Sequence, residues 1–211
     1  MIFISNTINN IFSNYKPYIN GWENFKRASV TIPIVNYNDE PHILFEIRAK
    51  TLRSQPSEIC FPGGKIEKDE HPLDTAIRET CEEIGVCEND INIISPLDLF
   101  ISPFDILIHP YLITINNLNN LSINSTEVEK VFLVPLQYLL NHKPTKYINK
   151  VNITPHDNFP YDLIPSKQDY KFKTGSYEIL FYTYNEYVIW GLTAKILFNF
   201  LSILKQSNYQ V

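Results

Sequence analysis

Three cysteines, Cys60, Cys81 and Cys87, are all that the 211 residues contain, and none belongs to a Cys-x-x-Cys pair. An odd count with no histidine at metal spacing argues against a zinc site and a disulfide framework, and the thiols read as buried or reduced groups of a cytoplasmic protein. The five histidines, at 42, 71, 109, 142 and 156, are too scattered for a zinc site. Lys and Arg form no run and the net charge is -5, which speaks against coating nucleic acid or lying on a membrane surface. An anionic small ligand stays open, because a bound cation supplies positive charge locally. The start of the chain, Met1-Ile2-Phe3-Ile4-Ser5-Asn6, lacks the basic opening and sustained apolar core of a signal peptide. Nowhere do about 18 apolar residues follow one another, as a membrane span requires. Residues 188–204 come nearest, and Thr193, Lys195, Asn199 and Ser202 interrupt them. Internal repeats and low-complexity linkers are absent. Gly63-Gly64-Lys65 lacks the Ser/Thr and the spacing of a P-loop, and no local Ser/His/Asp or Cys/His signature exists.

What is there is ordinary for a soluble globular domain: 44% hydrophobic and 19% charged residues, in a chain long enough to bury a core. Residues 5–26 read as a short helix and a loop. Residues 28–37 are rich in β-branched side chains and predict a strand, with Pro33 pointing to an edge or a bulge. A turn at Asn38-Asp39-Glu40-Pro41 joins it to a second strand, His42 to Arg48, as a hairpin. Residues 72–84 predict the clearest helix, with Pro72 at its first position and Gly85 as its C-terminal cap. Strands are expected at 91–101, 106–115, 128–134 and 177–182, a short helix at 135–140, irregular chain at 141–165 and a terminal helix at 188–204. Several strands framed by two good helices indicate one α/β sandwich.

The helix at 72–84 carries the chemistry. At about 100° per residue, Glu79, Glu82 and Glu83 share an arc of about 100°. Leu73, Ala76, Ile77, Thr80 and Ile84 fall on another side, so the acidic face is expected to look outward while the apolar face packs. Glu79 and Glu83 repel at i,i+4, and Arg78, spaced i,i+4 from both Asp74 and Glu82, offsets part of that. An acidic run of this kind is either a solvated face or a site where a divalent cation turns repulsion into coordination. The Pro62-Gly63-Gly64 turn upstream lets backbone approach such a site closely.

Residues 64–86 resemble the Nudix box, G-x5-E-x7-R-E-U-x-E-E-x-G-U with U aliphatic. Gly64, Glu70, Arg78, Glu79, Glu82, Glu83 and Gly85 stand at its fixed positions, Val86 at its second aliphatic place and Thr80 at its first. The resemblance implies an α/β/α sandwich with a mixed sheet, spanning 27–206 behind an N-terminal extension at 1–26. It implies hydrolysis of a nucleoside diphosphate linked to another group. Glu79, Glu82 and Glu83, with the Gly64 carbonyl, would hold Mg2+ or Mn2+. Glu70 and Arg78 would support the loop–helix geometry. Upstream, residues 44–64 resemble the pattern L-L-T-x-R-(S/A)-x3-R-x3-G-x3-F-P-G-G of coenzyme A diphosphatases. Arg48, Ala49, Arg53 and Phe61-Pro62-Gly63-Gly64 are in register, while Glu46 stands for the Thr and Ser57 for the Gly. The implied reaction releases 3′,5′-ADP and 4′-phosphopantetheine, with Arg48 and Arg53 pairing with phosphates. Glu83 would take the proton of the attacking water, with Glu127 or Glu129 as alternatives. Two other functions stay in play: a Nudix hydrolase of ADP-ribose, a dinucleotide or a nucleoside triphosphate, and a non-catalytic binding module on the same scaffold. Trp190 and the aromatic residues at 177–187 read as core or as the face of a homodimer rather than a substrate wall.

Overall fold

A computed structural model of the chain describes residues 2–118 and 121–207, with side chains from Thr7 onward. After helix α1 (Ile2–Phe12), strands β1 (Lys26–Tyr37) and β2 (Glu40–Arg48) form the expected hairpin. Asn38 and Asp39 make its two-residue turn with φ of 53° and 63°, the left-handed geometry that matches strand twist. Strands β3 (Ile59–Cys60) and β4 (Gly63–Lys65) follow, then α2 (Pro72–Ile84), β5 (Ile91–Pro96), β6 (Phe100–Ser102), β7 (Ile106–Ile115) and β8 (Val128–Pro135). The chain ends in α3 (Leu136–Asn141), β9 (Thr145–Val151), β10 (Gly175–Tyr184), β11 (Tyr187–Trp190) and α4 (Gly191–Gln206).

One mixed sheet runs β3-β2-β1-β7-β5, with β8 beside β2, β4 beside β1 and β6 beside β7. Among the described residues only β1 and β7 pair in parallel. Alternation along the strands divides the core in two. Ile32, Ile43, Phe45 and Ile108 face α4, packing with Leu197, Phe200 and Leu201. Val35, Leu44 and Ile113 face α2, packing with Ile77 and Ile84. The smaller sheet β11-β10-β9 rests on α4. The layers are those of the expected α/β/α sandwich. No helix among the described residues is long and apolar enough to cross a membrane.

Four local expectations are corrected. Pro33 lies in the centre of the sheet, not at an edge. The Thr31 N–H bonds the Pro62 carbonyl, so the Pro33 nitrogen points to the same side. There it meets the gap between β4, which pairs with residues 28–30, and β2, which pairs with 34–37. A nitrogen without hydrogen leaves nothing unsatisfied in such a gap. The strand expected at 91–101 is two strands, split at Leu97, whose N–H turns to the Pro110 carbonyl. Residues 145–151 are a strand, β9, paired along its whole length with β10 although its side chains are mostly exposed. The terminal helix starts at Gly191, whose φ of 64° separates it from β11. A continuous apolar run does not by itself tell strand from helix.

Candidate active site

Two glycines bring the β3–β4 turn against both β1 and α2. Gly63 has a φ of 151°, and a Cβ there would lie 2.3 Å from the Ser29 carbonyl oxygen and 2.6 Å from the Val30 Cα. At Gly64 a Cβ would lie 2.3 Å from the carboxyl carbon of Glu79. Helix α2 is fixed at both ends: the His71 ring nitrogen accepts from the Leu73 N–H at 3.3 Å, and Gly85 caps it with a φ of 68°. Its middle is tied to β1 through the Thr80 and Thr31 hydroxyls, 2.8 Å apart.

The acidic arc does not look outward as a whole. Glu83 is buried, with 4% of its surface exposed, because the turn folds over it and the Gly63 N–H donates to its Oε2 at 2.8 Å. Burial, and next the charge of Glu46, push its carboxyl up to about 9. Glu79 is less enclosed, and burial raises it too. Glu82 is exposed. Arg78 spans the arc: its Nη1 lies 2.8 Å from Glu79 Oε1 and 3.1 Å from Glu82 Oε2. The same guanidinium grips Glu70 in a fork, Nε to Oε1 at 2.9 Å and Nη2 to Oε2 at 3.2 Å. That hydrogen bond holds Glu70 down at about 2. Glu70, on the preceding loop, therefore takes the place expected for Asp74 as the N-terminal partner of Arg78. The left-handed turn at Asp69, φ 66°, brings it there.

Of the upstream arginines, Arg48 is half-buried with its Nε unpartnered, and Arg53 is exposed in the loop. Arg48 joins Cys60 and Gly63 in the wall of a cavity of about 710 Å3. Phe104, Tyr177, Ile179 and Trp190 line its other sides. Glu129 pairs with Lys50 at 3.0 Å, whereas Glu127 is half-buried and its charge reaches Glu46 and Glu79.

Glu46, seen in the sequence only as a departure from a motif, is the residue that reading missed. It is fully buried. Its Oε1 accepts from the Cys60 thiol at 3.1 Å, and its Oε2 has no partner. Burial raises its carboxyl to about 7. The available signal was one carboxylate inside the apolar run Ile43-Leu44-Phe45-Glu46-Ile47, at a position facing α2. Ser57, the other departure, keeps the left-handed backbone that glycine favours, with a φ of 62°. Ser57→Gly is expected to raise stability by about 0.5–1 kcal/mol, as relief of the Cβ outweighs the added freedom of the unfolded chain. Urea midpoints check this, and an unchanged midpoint refutes it.

Hard carboxylate oxygens around a glycine cradle suit a divalent cation. Gly64 leaves room against Glu79 that any side chain would fill, and the buried Glu46 oxygen lacks a partner. Among the described residues no three acidic, His or Cys side chains stand gathered at metal-binding separation, since Arg78 draws Glu79 and Glu82 while Gly63 holds Glu83. The donor types and the cradle fit the cation.

A family model described as NUDIX domain matches residues 25–169. Nudix hydrolase 3 of Caenorhabditis elegans is 31% identical over 187 residues, covering 86% of this chain and 75% of that protein. The peroxisomal coenzyme A diphosphatase NUDT7 of Mus musculus is 30% identical over 125 residues, covering 59% of this chain and 52% of that protein. The mitochondrial coenzyme A diphosphatase NUDT8 of Homo sapiens is 27% identical over 187 residues, covering 87% and 71%. Proteins of this family use divalent metal ions and act on small nucleotide derivatives. With its family box built into a turn and helix on a mixed sheet, the chain belongs to the Nudix hydrolases.

Proposed function

We propose that this chain hydrolyses the diphosphate bond of coenzyme A or its derivatives to 3′,5′-ADP and 4′-phosphopantetheine or its acylated form. The observation that carries the reading is Arg48, the motif arginine in register with Phe61-Pro62-Gly63-Gly64. Its guanidinium stands in the cavity wall beside Gly63 with a buried N–H unpartnered. A buried donor without an acceptor is costly, and a substrate phosphate would supply the missing partner. Similarity to relatives named coenzyme A diphosphatases supports the same reading.

Glu79, Glu82 and Glu83, with the Gly64 carbonyl, would hold Mg2+ or Mn2+. When bound, the ion would supply positive charge against the diphosphate and make a water more acidic. Water attacks one phosphorus. A new P–O bond forms, the bridging anhydride bond breaks, and its oxygen leaves on the second phosphate. Glu83 accepts the water's proton, held in place by the Gly63 N–H. Glu127 is the second choice, because Glu129 is engaged by Lys50. Glu70 and Arg78 fix the turn on the helix, and the aromatic walls enclose the rest of the substrate. Arg53, exposed in its loop, joins Arg48 in pairing with the substrate phosphates.

Incubation with coenzyme A and either Mg2+ or Mn2+ is expected to yield the two named products, identified by mass. Cleavage of ADP-ribose or a dinucleotide with coenzyme A left intact overturns the substrate assignment.

A further inference from the structure

We infer that Glu46 belongs to the cation site, where its buried charge tightens binding of the divalent ion. The inference rests on the cation site proposed above and adds to it a residue outside the box.

Leu44 packs against α2 with Ile77 and Ile84, and Glu46, two residues on and before the irregularity at Ile47–Arg48, shares that face. It lies between Cys60 on β3 and Val131 on β8 in register, wholly shut off from water. A carboxylate so placed is costly unless something compensates it. The Cys60 thiol, a weak donor, serves only Oε1. No ion pair joins Glu46 to Arg48, and Oε2 has no partner at all. Meanwhile Glu46 feels the charges of Glu79 and Glu127 and adds its own to Glu83, while Arg48 opposes them at both Glu46 and Glu83. A hydrogen bond to a thiol alone would not need a charged residue. A divalent cation would compensate the excess, whether Glu46 touches it or acts across a few ångströms.

The distinguishing feature is a change of sign. Without metal, the charge of Glu46 is a burden, and with metal it is an asset. Glu46→Gln keeps the shape and the Cys60 contact, and Glu46→Met keeps only the length. Both are expected to melt at or above the wild-type temperature without metal. Both should bind Mn2+ about tenfold more weakly in titrations followed by electron paramagnetic resonance, and gain less melting temperature from Mn2+. A purely structural Glu46 predicts the reverse: lower melting temperatures with and without metal, and unchanged Mn2+ affinity. That result, or failure of both variants to fold without metal, overturns the inference. Glu83→Gln serves as the control. If it weakens Mn2+ binding and the Glu46 variants do not, only the inference fails; if none of the three does, the cation site itself fails.

Discussion

Glu83→Gln is expected to lower turnover of the diphosphate substrate by at least about a hundredfold, the usual weight of a positioned proton acceptor, while the chain stays folded. Glutamine can still accept the Gly63 N–H through its side-chain oxygen, so the 2.8 Å link between turn and helix survives. Burial already favours an uncharged side chain at this position, so the neutral amide adds no desolvation cost. What is lost is the ability to ligate a cation and to take a proton. Glu82→Gln should be the milder change, since Glu82 is exposed and bound to Arg78 alone. Turnover of coenzyme A with Mn2+, measured beside thermal melts of each variant, tests the pair. Near-normal turnover in Glu83→Gln would leave the proposed proton acceptor without support and move attention to Glu127.

Much of this site could be read from the sequence, and the part that could not has a physical reason. The ends of α2 are local events: Pro72 needs no N–H partner at the first turn, and Gly85 takes a backbone conformation that other residues resist. The hairpin turn at Asn38-Asp39 is local in the same way. The facing of Glu83 is not. Helical angles place it beside Glu79 and Glu82, and only the return of Gly63, twenty residues earlier, over that part of the helix makes it buried. Glu46 became legible once β2 had a known inner face. Strand β9 shows the limit from another side: its side chains carry almost no burial pattern, and it exists through backbone pairing to a partner about thirty residues away. Pro33 escapes the rule confining proline to edges, because that rule assumes continuous partners and β1 has two partners with a gap between them.

The neighbouring glycines of the turn should fail in opposite ways when given a methyl group. Gly63→Ala is expected to destabilise the chain by about 3–5 kcal/mol, a large share of the stability of a typical domain. Its Cβ would meet the Ser29 carbonyl oxygen at 2.3 Å and the Val30 Cα at 2.6 Å. Those atoms belong to the backbone of β1, locked on its other side by a parallel ladder to β7, so they cannot retreat. The residue would also have to hold a φ of 151°, which strains any side chain. Gly64→Ala meets only the end of a flexible side chain, the Glu79 carboxyl group at 2.3–2.6 Å. Glu79 can rotate away, so stability should change by less than about 1.5 kcal/mol. The carboxylate then leaves the place where it could share a cation with Glu83, and Mn2+ affinity and turnover should both fall at least about tenfold. Urea unfolding and Mn2+ titration of the two variants separate the outcomes. Full activity in Gly64→Ala would mean that the position of Glu79 beside the turn does not matter to the reaction, and the cation site would have to be drawn without it.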